Sequence, residues 1–102
     1  MKVAIVGYGS MGREVEKVLL DRGHQVSARV DPSQSGADAA TLTQEVAKAS
    51  DMAIEFSHPD AAVGNAAAFA RFGLSAVSGT TGWFGKLEEV RNLVAEIGRA
   101  HV

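Results

Sequence analysis

The chain contains no cysteine, which excludes disulfide bonds, thiolate nucleophiles and thiolate metal sites. It also lacks a basic excess. Lys and Arg number 10 against 12 Asp and Glu, for a net charge of -2, and no basic block occurs, which argues against nucleic acid as a partner. A long apolar run is missing too. Met1-Lys2 leads directly into a four-residue apolar stretch, too short for the core of a signal peptide, and no later stretch approaches the length of a membrane span. The expected location is therefore the cytoplasm, with no membrane partner. His24, His58 and His101 show no metal-ligand spacing, so no metal is expected. No internal repeat and no low-complexity segment is visible.

What is present fits one soluble globular domain: 102 residues, 46% hydrophobic and 22% charged. The most informative stretch is the start. Val3-Ala4-Ile5-Val6 is followed at once by Gly7-Tyr8-Gly9-Ser10-Met11-Gly12 and then by a helical pattern. A G-x-G-x-x-G between a strand and a helix suits a dinucleotide pyrophosphate. A turn free of Cβ atoms admits the phosphates, and the helix N-terminus offers unpaired N–H groups and a positive dipole end.

The rest of the pattern alternates strand and helix. A first strand over residues 2–6 precedes a helix over 10–22, with Met11, Val15, Val18 and Leu19 on one face. Gly23 stands where a left-handed C-cap belongs. Val26, Ala28 and Val30 alternate with polar residues in a second strand ending at Asp31, and residues 32–36 read as loop. A short helix over 41–49 and a third strand over 52–56 follow. Pro59 opens a helix expected to bury Ala62, Val63, Ala66, Phe69 and Ala70 and to stop at Gly73. A fourth strand over 74–78, a Gly79-Thr80-Thr81-Gly82 turn and a last helix with Leu87, Val90, Val94 and Ile97 in one stripe complete the chain.

This alternation predicts an α/β fold, a Rossmann-type doubly wound parallel sheet of about four to five strands, truncated relative to larger members. The expected order is second, first, third, fourth strand, with a crevice where the order reverses. Three features converge there: the glycine loop, Ser57-His58-Pro59 and Gly79-Thr80-Thr81. Asp31, about 20 positions beyond the glycines, is placed to accept hydrogen bonds from an adenosine ribose; the alternative is that it only caps a loop. A carboxylate there repels a 2′-phosphate and favours NADH over NADPH, although Arg13, Arg29 and the Ser33-Gln34-Ser35 loop offer counter-charge and donors. Arg29 reads as a solvated strand residue and Arg13 as a helix-surface one. The two hydroxyls of Thr80 and Thr81 suit a nicotinamide ribose and carboxamide, or else an ordinary turn. His58, beside Pro59, reads as a helix-entry residue rather than a general acid. Glu55, in an otherwise apolar strand, belongs at the crevice rim or in a hydrogen bond there.

The glycine loop, Val30-Asp31, Ile54-Glu55-Phe56-Ser57-His58-Pro59 and Gly79-Thr80-Thr81-Gly82 together resemble the N-terminal domain of the 4-hydroxy-tetrahydrodipicolinate reductases (dihydrodipicolinate reductases), over nearly the whole chain. That family's third strand usually ends Asp-Phe-Ser/Thr-x-Pro and its fourth Gly-Thr-Thr-Gly. Here Glu55 replaces the usual Asp, and Ser10 stands where the phosphate loop often has Arg. The segment between Asp31 and Asp51 is also short enough to omit a strand that longer members have. The resemblance implies NAD(P)H as cofactor, with NADH favoured, and hydride transfer to an unsaturated pyridine-dicarboxylate ring in diaminopimelate and lysine biosynthesis. It implies that residues 1–102 form the dinucleotide-binding domain, and that the substrate-binding and acid-catalytic residues lie on a C-terminal domain absent from this chain. The cofactor-contacting set is then Gly7, Tyr8, Gly9, Ser10, Met11, Gly12, Asp31, Phe56, Ser57, Gly79, Thr80 and Thr81, with no catalytic residue among them. Alone, the chain is expected to bind cofactor without turnover, as a monomer or weak dimer. A nucleotide-sensing regulatory module, or another NAD(P)-dependent dehydrogenase, shares the glycine loop and the acid but not the paired strand-end signature.

Overall fold

Strand β1 (Lys2–Val6) is buried from Val3 to Val6, so both of its faces are covered. The computed structural model describes residues 1–56 and 59–79, the stretch 59–63 by its backbone alone. On one face of β1, Val3 and Ile5 pack with Val15 and Leu19 of helix α1 (Ser10–Asp21) and with Met52 and Ile54 of strand β3 (Met52–Glu55). On the other, Ala4 and Val6 join Ala28 and Val30 of strand β2 (Gln25–Val30), Ala47 of helix α2 (Gln44–Lys48) and Ala53 of β3. Phe69 of helix α3 (Pro59–Phe72) closes that cluster. Alternate residues of one strand thus feed two cores, with α1 on one side and α2 and α3 on the other.

The sheet runs β2-β1-β3-β4, where β4 is Ala76–Ser78, and every pairing is parallel. This is the expected order, with the reversal between β1 and β3. Beyond each strand end one main-chain bond continues the ladder: Gly7 N–H to Val30 carbonyl at 2.7 Å, Phe56 N–H to Val6 carbonyl at 2.7 Å, and Gly79 N–H to Glu55 carbonyl at 2.8 Å. The glycine loop, the end of β3 and the end of β4 are thereby fixed at one edge.

Helix α1 stops as expected. Gly23 adopts φ +82° and donates its N–H to the Leu20 carbonyl at 3.1 Å, while His24 N–H reaches the Leu19 carbonyl at 2.9 Å. Three details depart from the sequence reading. The helix expected over 41–49 is limited to α2, because the Thr43 hydroxyl accepts the Val46 N–H at 3.2 Å and sets the start there. Upstream, Asp38 and Ala39 are drawn to β2 instead. Their N–H groups donate to the Arg29 carbonyl, and Asp31 N–H donates to the Ala39 carbonyl, forming one isolated parallel bridge between Val30 and Ala39. The fourth strand starts at Ala76, not Leu74, since Leu74 N–H is spent on the Phe69 carbonyl at 2.9 Å to end α3.

The buried face of α3 also differs. Phe69 is buried as expected, but Ala66 and Ala70 are exposed. The inward edge is Asn65, Ala68, Phe69 and Phe72, one step round the helix, set by where the two aromatic rings fit. Ala62 and Val63, as well as Ser57, His58, Thr80, Thr81 and the stripe of the last helix, lie outside the described side chains.

Candidate functional site

The three motif glycines have three different physical roles. Gly7 turns the chain out of β1 at φ +96°, a conformation side chains with a Cβ rarely adopt. Gly12 sits where α1 crosses that turn: a Cβ there would meet the Gly7 carbonyl oxygen at 2.2 Å. Gly9 faces nothing, with no atom within 4 Å of where its Cβ would stand. It is the N-cap of α1, no side chain caps that helix start, and no acidic residue lies in its first turn. A tight turn, an open approach to an uncapped helix start and a close helix–strand crossing are what a bound pyrophosphate asks of such a loop. The loop fits that group. Ser10 is exposed there, and Met11 is half-buried against the α1-side core.

Asp31 lies beside this loop at the end of β2. One carboxylate oxygen, Oδ2, accepts the Tyr8 N–H at 2.8 Å. The other, Oδ1, accepts the Ser33 N–H at 2.9 Å, the Ser33 hydroxyl at 3.1 Å and the Gln34 N–H at 3.2 Å. Partial burial raises the pKa of this carboxyl, but the donors from Ser33, Tyr8 and Gln34 outweigh it and hold the group below its ordinary value. Asp31 therefore caps the 32–36 loop and also stands as an ionised acid against the glycine loop.

Tyr8 joins the loop to this corner through its main chain. Its ring is buried in the α1-side core, its hydroxyl donates to Glu16 Oε1 at 2.5 Å, and its main chain, not its ring, meets Asp31. The Arg13 guanidinium lies over that ring at 4.4 Å and donates to the Ser35 carbonyl at 2.8 Å, tying α1 to the loop. Arg29 is not a solvated strand residue. It is half-buried, paired with Glu16 and, at 3.3 Å, with Asp38, and lies 5.9 Å from the Tyr8 ring centroid. Its side chain had no visible partners in the sequence because Glu16 and Asp38 are distant along the chain.

At the other crevice edge, Glu55 is only 3% exposed, so its carboxylate requires partners. Asn65 Nδ2 donates to Oε2 at 2.8 Å and the Ser78 hydroxyl to Oε1 at 3.0 Å. Phe56 and Gly79 meet directly, since a Cβ on Gly79 would stand 2.2 Å from the Phe56 ring. Sequence reasoning missed Asn65 and Ser78. The signal was available: Asn65 is the one polar residue between Ala61 and Ala70, on the helix that follows the buried acid. Among the described residues no group of three or more His, Asp or Glu could hold a metal ion, and no helix is long and apolar enough to cross a membrane.

A parallel sheet with its reversal point between β1 and β3, an uncapped helix start behind three glycines, and an acid on the neighbouring strand end define a Rossmann-type nucleotide-binding domain. The chain belongs to the family of the dihydrodipicolinate reductase N-terminus, whose profile matches residues 1–101. This is a reductase family that uses a nicotinamide dinucleotide, NADH or NADPH. Among its relatives is the 4-hydroxy-tetrahydrodipicolinate reductase of Christiangramia forsetii, 32% identical over 93 residues, 91% of this chain and 36% of that protein. The enzymes of the same name from a bovine strain of Staphylococcus aureus and from Staphylococcus haemolyticus are 31% and 30% identical, each over 59% of this chain and 26% of their own length. The chain thus spans between about a quarter and about a third of the relatives it matches.

Proposed function

We propose that this chain is the NAD(P)H-binding half of a 4-hydroxy-tetrahydrodipicolinate reductase, acting in diaminopimelate and lysine biosynthesis in the cytoplasm. The observation that carries the reading is the division of labour among Gly7, Gly9 and Gly12 beside the ionised Asp31. The pyrophosphate lies over the backbone from Gly7 to Gly12, Tyr8, Ser10 and Met11 included, and Asp31 accepts from the adenosine ribose hydroxyls. Phe56, Ser57, Gly79, Thr80 and Thr81 line the nicotinamide end. The reduced nicotinamide supplies the hydride. This chain binds and orients it, while the acceptor ring and the proton that accompanies reduction are handled by residues outside these 102, so the chain alone binds without turnover, as a monomer or weak dimer.

NADH is the favoured form. Asp31 repels a 2′-phosphate, and the half-buried Arg29 is already paired with Glu16 and Asp38. Titrating the chain with NADH and NADPH by cofactor fluorescence tests this. NADH binding about tenfold tighter than NADPH, roughly 1.4 kcal/mol, is expected. Failure to bind either at millimolar concentration overturns the assignment, and steady NADH oxidation by the isolated chain in the presence of the acceptor overturns the claim that it is only the binding half.

A further inference from the structure

We propose that Glu55 is a positioning residue for the nicotinamide end of the cofactor, acting through the end of β4. The inference rests on the functional reading above and adds a role for a buried acid outside the glycine loop and the end of β2.

Three elements meet at Glu55. Its main-chain carbonyl accepts the Gly79 N–H at 2.8 Å, and its side chain accepts the Ser78 hydroxyl and the Asn65 amide. In the ladder it pairs with Val6 on one side and Ser78 on the other. One residue therefore fixes the last residues of β4 twice, by main chain and by side chain, and ties them to α3. The next residue, Phe56, is anchored to β1 through the Val6 carbonyl and presses its ring on Gly79. Strand β4 has only three residues, two of them exposed. The Glu55 carboxylate spans from Asn65 on α3 to Ser78 on β4.

Such a device bears on one half of the ligand only. The glycine loop and Asp31 lie at the ends of β1 and β2 and the start of α1, and among the described residues the carboxylate hydrogen bonds of Asp31 go to Tyr8, Ser33 and Gln34, not to Glu55, Asn65 or Ser78. Loosening the β4 end should weaken contacts to the nicotinamide and leave those to the ADP-ribose portion intact.

The experiment is a paired titration of the chain with NADH and with ADP-ribose, for wild type, Glu55→Ala and Glu55→Gln. The Gln side chain keeps both bonds by accepting from Asn65 through its oxygen and donating to the Ser78 hydroxyl through its nitrogen. We expect Glu55→Ala to weaken NADH binding about tenfold with ADP-ribose changed less than about twofold, and Glu55→Gln to restore the wild-type ratio. Parallel losses for both ligands, or an unchanged NADH affinity, overturn the proposal. Should Glu55→Ala not fold by circular dichroism, Ser78→Ala, which removes one of the two side-chain donors, carries the same comparison with the same criteria. A wild-type chain that binds neither ligand, or both equally tightly, overturns the functional reading itself, whereas a wild-type chain that prefers NADH while Glu55→Ala keeps that preference overturns this inference alone.

Discussion

Replacing Gly12 by alanine separates packing from binding in the glycine loop. The new Cβ would lie 2.2 Å from the Gly7 carbonyl oxygen, against an ordinary contact of 3.4 Å or more, and 3.3 Å from Ile5 Cγ2. The obstacle is backbone on one side and a fully buried side chain on the other, so the start of α1 must retreat by about 1 Å, an over-packing cost of ~1–3 kcal/mol. For a domain of this size, each kcal/mol lowers Tm by roughly 4–8 °C, so the expected drop is about 4–24 °C. Gly9→Ala is the control. Its Cβ meets nothing within 4 Å and its φ of -81° is ordinary, so only a weaker N-cap is lost, under ~1 kcal/mol. Thermal melting by circular dichroism reads the first effect, and NADH titration at a temperature where both variants are folded reads the second. Gly9→Ala should keep its Tm within a few degrees and yet bind NADH at least about tenfold more weakly, because the methyl fills the space the pyrophosphate needs. A Gly12→Ala chain that melts with wild type, or a Gly9→Ala chain that is the less stable of the two, refutes this division of roles.

Asp31→Asn should narrow the NADH preference by raising NADPH affinity relative to NADH, measured by competitive titration of the two. The same carboxyl sets an acid limit. Because folding lowers its pKa from 3.8, its contribution to stability is complete well above that value and is lost as pH falls through the lower folded pKa. The stability gap between wild type and Asp31→Asn in urea unfolding should be constant above about pH 5 and shrink towards pH 3; a gap that widens on acidification contradicts the sign. Tyr8→Phe removes the hydroxyl donor to the partly buried Glu16 and should cost about 1–2 kcal/mol in urea unfolding, with NADH affinity retained because the Tyr8 N–H to Asp31 is untouched. Glu16→Gln releases Arg29 from its strongest partner, and NADPH affinity should rise relative to NADH; no change in that ratio shows that Arg29 does not reach the ribose.

What could be read from the sequence divides along the range of the interactions. The glycine loop, the Gly23 helix stop and the strand order follow from local rules, in which a residue's neighbours along the chain set its geometry, and the structure agrees with them. The position of Asp31 follows for the same reason, since it comes directly after a strand whose parallel partner ends at the glycines. Arg29 was misread because its environment is made by Glu16 and Asp38, which reach it only after α1 and the 37–39 segment pack onto β2. The face of α3 was misplaced by one position because alanine fits a core or a surface almost equally well, so its spacing does not specify a direction; the two phenylalanines do. Glu55 shows how such gaps can be narrowed. A carboxylate in a four-residue strand buried on both sides must find donors, and the parallel register puts Ser78 beside it while the crossover helix brings Asn65 over it. The residues that sequence reading leaves out are thus those whose meaning depends on which strand end they share, and in this fold those shared ends are where the cofactor would lie.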